Sequence, residues 1–234
     1  MTKILAIDAS TEACSVALLN GDEITERYQL APREHAKLLL PMVDELLSDS
    51  DLRLSQLDAI ACNTGPGAFT GIRIAVSVAQ GLAYGANLPT IGLSSLANLA
   101  LNGYDQSNKQ YWLTAIDARM NEVYFSAYQI NNGEIVSVST EEVIPPSEIK
   151  FGELLAKVDQ NSLGLIGSGW QAYADGMFVQ GLSKQLLLED NFPSAKYAFN
   201  EAKLALQNNK LLKPEDLQPT YLRNNVAKKA KIKD

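Results

Sequence analysis

Three closely spaced glycines, Gly65, Gly67 and Gly71, are the first candidate for chemistry in this sequence. They follow the apolar run 57–62 and stand directly before a long apolar helix pattern. Glycine permits close backbone approach, and the first turn of a helix offers free N–H groups to an anion. This arrangement is typical of a phosphate-binding loop. It lacks the lysine of the GxxxxGK[ST] motif, however, and a tight strand-to-helix turn would use the same glycines.

Side chains suited to metal binding or nucleophilic catalysis are scarce. The chain has one histidine, His35, and two isolated cysteines, Cys14 and Cys62, which both stand in apolar runs typical of buried thiols. A zinc site needs about three or four protein ligands, and a serine or cysteine nucleophile needs a base beside it. The sequence also contains no GxSxG motif. It therefore predicts neither a metal site nor a catalytic set.

The helix predicted after the glycines, within 65–84, is apolar on most of its surface. Such a helix is buried on two sides, against a sheet and against either a neighbouring helix or another subunit. A second apolar helix, predicted to begin at Pro32 and bend at Pro41, would enlarge the patch beyond what a monomer usually exposes. We therefore expect a partner interface formed by Leu39, Met42, Val43, Leu46, Gly71, Ile72, Ala75, Val76, Ala79, Leu82 and Ala83.

The order of elements repeats along the chain. The tetrapeptide AIDA occurs at 6–9 and again at 115–118, and each copy is followed by a strand, an Asn-Gly turn and another strand. Each half then continues with a helix, a short apolar strand and a further helix. In the first half we expect strands at 3–9, 13–19, 22–30, 57–62 and 89–93, and a short helix capped by Ser94 or Ser95. In the second half we expect strands at 122–130, 134–143 and 162–167, a helix at 148–158 capped by Ser147, and a helix at 194–207.

The polar run 102–110 is the expected boundary between the two halves. The predicted division is an N-terminal lobe at 1–104, a C-terminal lobe at 105–212 and a basic tail at 213–234 that packs back on the first lobe.

Two such units predict an α/β protein of the actin, Hsp70 and sugar-kinase class, with duplicated RNase H-like lobes whose mixed sheets are flanked by helices. Members of this class bind a nucleotide between the lobes, near a turn of the form DxxT. Here the matching turn begins at Asp8 and ends at Thr11, which with Gly65 and Gly67 forms a candidate phosphate site. The alternative is that Asp8 caps its own turn through local hydrogen bonds. The fold alone does not decide the activity.

The net charge is −7, but the residues from Tyr221 onward are basic. An acidic body binds nucleic acid poorly unaided, whereas the tail suits RNA, an acidic partner or solvent. The N-terminus begins at once with a strand and carries no apolar run typical of an export signal, and no stretch reaches the length of a membrane span. We therefore expect a cytoplasmic protein.

Several motifs resemble one family closely. The chain is similar to the TsaB (also called YeaZ) family in ILAIDASTEACSVAL, PREHAKLLLPMV, GPGAFTGIRIAVSVAQGLA, AIDARMNEVY, GSGWQAY and PTYLRNNVA, from Ile4 to Ala227. The resemblance implies a non-catalytic relative of TsaD, which transfers the threonylcarbamoyl group in forming threonylcarbamoyladenosine in tRNA. It also implies binding to TsaD and with it to the ATPase TsaE, and a homodimer through the same helical surface when TsaD is absent.

One difference between this chain and the catalytic relatives of the family bears on catalysis. The catalytic relatives hold a metal with a histidine pair on the first helix, whereas this chain offers only His35. The expected protein is thus an accessory subunit that requires no cofactor of its own, with ATP or ADP as a candidate ligand at the interface of the complex. Two alternatives stay open, a nucleotide-dependent kinase or ATPase of the same fold and, more remotely, a metalloprotease. The only trace of a second nucleotide loop is 167–169.

Overall fold

The structure is a computed structural model that describes residues 1–156, 158–178, 182–189 and 192–223. The strands are β1 (Lys3–Asp8), β2 (Ala13–Asn20), β3 (Glu23–Leu30), β4 (Ala59–Gly65), β5 (Thr90–Ser94), β6 (Tyr111–Arg119), β7 (Glu122–Asn131), β8 (Glu134–Ser137), β9 (Glu142–Ile144) and β10 (Leu163–Ile166). The α-helices are α1 (His35–Asp49), α2 (Phe69–Ala86), α3 (Ser95–Ser107), α4 (Phe151–Leu155), α5 (Ser168–Ala172), α6 (Ala174–Met177) and α7 (Phe199–Gln207).

The first sheet has the order β3-β2-β1-β4-β5. Strands β1, β2 and β3 form an antiparallel meander, and β4 and β5 join β1 in parallel through helical crossovers. The hairpin between β2 and β3 turns at Gly21-Asp22, one residue later than the predicted Asn20-Gly21, because Asn20 still pairs with Glu23. Gly21 takes a positive φ of 67° in this turn.

The second sheet repeats this pattern with the order β10-β6-β7-β8. Its hairpin between β7 and β8 turns at Asn132 and Gly133, with φ of 51° and 82°. The expected strand 134–143 is instead divided into β8 and β9, which both pair with β7. In the position that β5 holds in the first sheet, a single parallel bridge joins Leu165 to Leu187.

Two of the helices pack on the sheet that is formed by the other half of the sequence. Helices α1 and α2 cover one face of the first sheet, and their apolar side chains share a core with it. The other face is covered by α7 from the second half, whose Phe199 and Ala202 pack with Ile4 and Ala6. Helix α3 from the first half packs in turn on Trp112 and neighbouring side chains of the second sheet. Each half of the chain therefore contributes a helix to the other half's sheet.

Three sequence predictions need correction. The polar run 102–110 is not an irregular linker, because α3 continues to Ser107 and its first eight residues through Asn102 are buried. The expected helix 148–158 is the short α4, and Ser147 lies in a preceding 3₁₀ turn and does not cap it. The expected helix 194–207 begins as a 3₁₀ turn at Ala195–Ala198 and packs on the first sheet. The division into lobes at 104 and 212 stays a prediction.

The segment from Leu212 to Arg223 returns across both sheets. It pairs with Thr90 at the edge of the first sheet, and the side-chain amide of Gln80 on α2 donates to the carbonyl of Leu217 at 3.0 Å. The amide of Thr220 then donates to the carbonyl of Thr64 at 2.8 Å. The rest of the expected basic tail, 224–234, lies outside the described residues.

Candidate functional site

The glycine loop packs directly onto the turn that follows β1. The amide of Ala68 donates to the carbonyl of Ser10 at 2.7 Å, and a Cβ on Gly67 would lie 2.1 Å from that oxygen. A Cβ on Gly71 would lie 2.0 Å from the carbonyl oxygen of Ala9. Only glycine allows these approaches, because real Cβ atoms do not come so close to an oxygen. The glycines thus allow a tight strand-to-helix connection, and their use as a phosphate loop stays a prediction.

Asp8 is sealed within the same turn. Its carboxylate accepts from the amide of Ser10 at 2.7 Å, from the Ser10 hydroxyl at 2.9 Å and from the side-chain amide of Asn63. Burial raises the pKa of Asp8, and the bond from the Ser10 amide opposes that rise. Asp8 therefore caps its own turn, and its carboxylate is not exposed to a ligand in this conformation.

The other predicted phosphate-binding residues lie near Asp8 and also contact neighbouring parts of the chain. Thr11 is buried, and its hydroxyl accepts from the amide of Ala13 at 3.4 Å. Gly65 has a φ of 115° and packs against Ile72 and the carbonyl of Thr220. The structure brings the four predicted residues together, and two of them, Thr11 and Gly67, line the cleft between the two sheets. Phosphate binding at these residues stays a prediction. Sequence reasoning missed Asn63, since an asparagine inside an apolar strand gives no sign of its partner.

His35 joins helix α1 to this turn. Its Nε2 lies 2.9 Å from the carbonyl oxygen of Thr11 and 3.3 Å from that of Ala13, and the side chain is buried. These contacts hold the start of α1 against the first hairpin. Within the described ranges, no three His, Cys, Asp or Glu side chains come close enough together to hold a metal ion.

A cleft of about 670 Å³ opens between the two sheets, above the packed turns. Arg119, in the hairpin between β6 and β7, crosses it. The guanidinium pairs with Asp117 at 2.7 Å and with Glu12 of the first lobe at 3.3 Å. The hydroxyl of Tyr173 donates to Asp117 at 2.9 Å. The first lobe is the part of the molecule built around the first sheet, and the second lobe is the part built around the second sheet. The exposed ion pair between Arg119 and Glu12 thus joins the two lobes across the cleft.

The C-terminal segment forms one wall of the cleft. Arg73 on α2 donates through Nε to the hydroxyl of Tyr221 at 2.8 Å, and Arg223 pairs with Glu122 of the second lobe. These contacts join residues more than a hundred positions apart, so no local sequence pattern predicts them.

The predicted interface residues need a correction. All of them except Leu82 are buried within the chain itself, where they fill the core between α1, α2 and the first sheet. Their apolar periodicity reflects the packing of α1 and α2 on the first sheet rather than on a partner. The buried set comprises Leu39, Met42, Val43, Leu46, Gly71, Ile72, Ala75, Val76, Ala79 and Ala83.

The outer side of the same helices keeps a different apolar surface. A shallow groove of about 410 Å³ runs between the two helices and is lined by Ala36, Phe69, Ile74, Ser77 and Val78, with Thr70 and Arg73. On the same side of α2, a Cβ on Gly81 or Gly85 would meet nothing within 4 Å. Leu40 on α1 is also exposed. We call this surface the helix groove.

Two mixed sheets of the same topology, flanked by helices with a cleft between them, define the actin, Hsp70 and sugar-kinase class of fold. The model of the TsaD family, described as tRNA N6-adenosine threonylcarbamoyltransferase, matches residues 23–231. The chain belongs to the TsaB branch of this family, as its similarity to curated relatives shows.

The relatives match along nearly their whole length. The chain is 41% identical to the tRNA threonylcarbamoyladenosine biosynthesis protein TsaB of Escherichia coli, over 96% of each chain. It is 39% identical to the protein of the same name from Haemophilus influenzae, over 95% of this chain and 94% of that one. The solved structure of YeaZ from Pseudomonas aeruginosa superposes with a TM-score of 0.84 at 38% identity, covering 95% of this chain and all of that one.

Among the described residues, no helix is both long and apolar enough to cross a bilayer.

Proposed function

We propose that this chain is a non-catalytic scaffold subunit that binds TsaD, and with it TsaE. In this role it supports formation of threonylcarbamoyladenosine next to the anticodon of tRNAs that read codons beginning with A. Support comes from the relatives named for threonylcarbamoyladenosine biosynthesis and from the TsaD-family match. A subunit that binds only the active conformation of an enzyme stabilises that conformation through its differential affinity.

The helix groove is the observation that carries the docking part of this proposal. It presents the accessible parts of Ile74 and Val78, which also pack against the edge of the core, beside Ser77 and Gly81 on the outer side of α2. Small residues allow a partner helix to approach closely, and the neighbouring apolar side chains supply area to bury. We propose that TsaD docks here, and that a second copy of the chain uses the same surface when TsaD is absent.

Two points argue for an accessory role over catalysis. The described residues offer His35 as a structural contact with two carbonyls and hold no cluster of metal ligands. The turn expected to hold a phosphate is packed against itself at Gly67 and Ser10. ATP or ADP would therefore bind at the interface of the complex rather than on this turn. We place the complex in the cytoplasm, where tRNA is modified.

The test is a charge placed in the helix groove. Val78 is partly buried at the edge of the core, so near-ultraviolet circular dichroism first checks that Val78→Glu keeps the fold. The new carboxylate would stand unpaired in any interface formed there. We expect at least about a tenfold loss of affinity for purified TsaD in isothermal titration calorimetry. We also expect a shift towards monomer for the chain alone in light scattering.

Val136→Glu is the matched control. Val136 is an exposed valine on β8 in the second sheet, so the same substitution adds the same charge far from the groove. TsaD should bind this variant as it binds the unaltered chain. If Val78→Glu and Val136→Glu both bind TsaD with unchanged affinity, docking through the helix groove is wrong.

A further inference from the structure

The hairpin between β6 and β7 turns on side chains that such a turn disfavours. Arg119, Met120 and Asn121 have φ of 61°, 58° and 63°, in the left-handed region that strains most residues other than glycine and asparagine. Two-residue turns of this kind usually carry Asn-Gly or Asp-Gly, whereas methionine stands first in this one. The side chain does not fill a core, because Met120 is 68% exposed. Packing alone therefore does not explain a methionine at this strained position.

Arg223 reaches this turn from the C-terminal segment. Its Nη1 donates to the sulfur of Met120 at 3.6 Å, and its Nη2 donates to the carboxylate of Glu122. The same segment is attached to the first lobe, since the amide of Thr220 donates to the carbonyl of Thr64. Arg223 thus links the second-lobe hairpin to a segment that the first lobe holds.

The contact between Arg223 and sulfur is the weaker of these two contacts. A thioether sulfur is a poor hydrogen-bond acceptor, whereas the carboxylate of Glu122 is a strong one. The oxygen of a methionine sulfoxide is a strong acceptor as well, and a hydrogen bond from a charged donor is about twice as strong as one between neutral groups. An oxygen added to the sulfur of Met120 would therefore find a charged donor already within reach.

We propose that Met120 is a reversible oxidation site whose sulfoxide is held by Arg223. The oxidant is hydrogen peroxide. A lone pair of the sulfur attacks one peroxide oxygen, the O–O bond breaks, and the second oxygen leaves as water. The sulfur loses two electrons and the peroxide gains them. A thiol-dependent methionine sulfoxide reductase restores the thioether, as two thiols join in a disulfide and the sulfoxide oxygen leaves as water.

The other sulfur atoms of the chain differ from that of Met120 in their exposure. Met1 is fully exposed, whereas Met42 and Met177 are buried. Both cysteines, Cys14 and Cys62, are buried too. Burial raises the pKa of Cys14 to about 11, so its thiol stays protonated and reacts slowly with peroxide. Mild peroxide treatment should therefore reach the two exposed methionines first.

Oxidation of Met120 should stabilise the chain, which is the opposite of the usual effect of methionine oxidation. In a core, a sulfoxide disrupts packing because it places a polar group in an apolar site. The side chain of Met120 is exposed, so its sulfoxide gives up little buried contact and gains the hydrogen bond from Arg223. The link between the C-terminal segment and the second lobe becomes firmer in the oxidised chain and relaxes again on reduction.

The experiment compares the full chain before and after treatment with hydrogen peroxide. Peptide mass mapping should find Met1 and Met120 oxidised at least about tenfold faster than the two buried methionines. The melting temperature should rise by about 2 °C, and a purified methionine sulfoxide reductase should return it to its starting value. Trypsin should cut after Arg223 at least about threefold more slowly in the oxidised chain, because the guanidinium has to leave its partners to enter the protease.

Substitutions separate the effect of Met120 from that of Met1. Met120→Leu keeps an exposed apolar side chain, so peroxide should change neither its melting temperature nor its tryptic cleavage, although Met1 is oxidised alike. Met120→Gln supplies an amide oxygen in place of the sulfoxide oxygen and should raise the melting temperature without any oxidant. Arg223→Leu should remove the rise in melting temperature in a chain that still oxidises at Met120.

The proposal fails if the oxidised chain melts at or below the temperature of the untreated chain. It also fails if Met120→Leu or Arg223→Leu responds to peroxide as the unaltered chain does. The two substitutions at Met120 change an exposed side chain, so they decide the matter even if Arg223→Leu does not fold. Because TsaD is absent from every measurement, these results leave the docking proposal untouched.

Discussion

Gly67 rests on the carbonyl oxygen of Ser10, so closely that a Cβ added at Gly67 would lie 2.1 Å from it. The neighbouring amide of Ala68 donates to the same oxygen at 2.7 Å. This contact joins the glycine loop to the turn after β1. It explains why the loop needs glycine, whether or not the loop binds a ligand.

Gly67→Ala should therefore destabilise the chain. The atom that the new Cβ would meet is backbone and cannot rotate away, so the two turns have to separate. We expect the free energy of unfolding to fall by about 3 kcal/mol in urea denaturation. Gly81→Ala is the control, because a Cβ there meets open space and alanine favours a helix by roughly 0.5–1 kcal/mol. Equal stability of the two variants would contradict the packing described here.

Ala79→Glu should prevent folding rather than merely weaken association. Ala79 is fully buried in the core that α2 shares with the first sheet, and no space or partner for a carboxylate exists there. We expect a loss of more than about 4 kcal/mol and a collapsed near-ultraviolet circular dichroism signal. Val78→Glu, one residue away on the outer side, should keep a native spectrum. A native spectrum for Ala79→Glu would show that α2 lies differently on the sheet.

His35→Ala should lower stability without any metal effect. The imidazole contacts the carbonyl oxygens of Thr11 and Ala13, and its removal leaves both without this partner in a buried setting. We expect a loss of about 1–3 kcal/mol in the free energy of unfolding. Addition of EDTA or zinc to the unaltered chain should leave its melting temperature unchanged. A clear rise with zinc that His35→Ala abolishes would point to a metal at this position.

Several local turns and one helix start were predictable from sequence, because their signals are local, whereas the predicted cap at Ser147 was wrong. Asn20-Gly21 predicts its hairpin, and Ser94 caps α3 by accepting from the amides of Leu96 and Ala97. The two sheets repeat the strand order that the AIDA repeat indicated. These features depend on neighbouring residues and on hydrophobic period alone.

Tertiary partners could not be predicted in the same way. The apolar period of α2 shows that Ala79 is buried but not whether a sheet or a partner buries it. The packing of Phe199 on the first sheet depends on shape complementarity between distant segments. The bond from Arg73 to Tyr221 joins residues 148 positions apart. The candidate cleft is built largely from such contacts, so its chemistry became visible only in the structure.

Glu201 makes stability depend on pH. Burial, and after it the charge of Glu141, raises the pKa of Glu201 from 4.5 to about 7. The folded chain therefore binds more protons than the unfolded chain between about pH 4.5 and pH 7, and stability falls as the pH rises through this window. This contribution of Glu201 to the free energy of unfolding is fully present below about pH 4.5 and is lost above about pH 7.

Glu201→Gln should remove this dependence. A neutral amide avoids the cost of a buried charge, so the variant should be more stable than the unaltered chain at pH 8, by on the order of 2 kcal/mol, and the two should converge near pH 4.5. Urea denaturation at a series of pH values measures both curves. Glu134→Gln, at an exposed position on β8, is the control and should follow the unaltered chain throughout. If Glu201→Gln runs parallel to the unaltered chain from pH 4.5 to pH 8, the carboxyl of Glu201 does not titrate in this window, and the slope has another source.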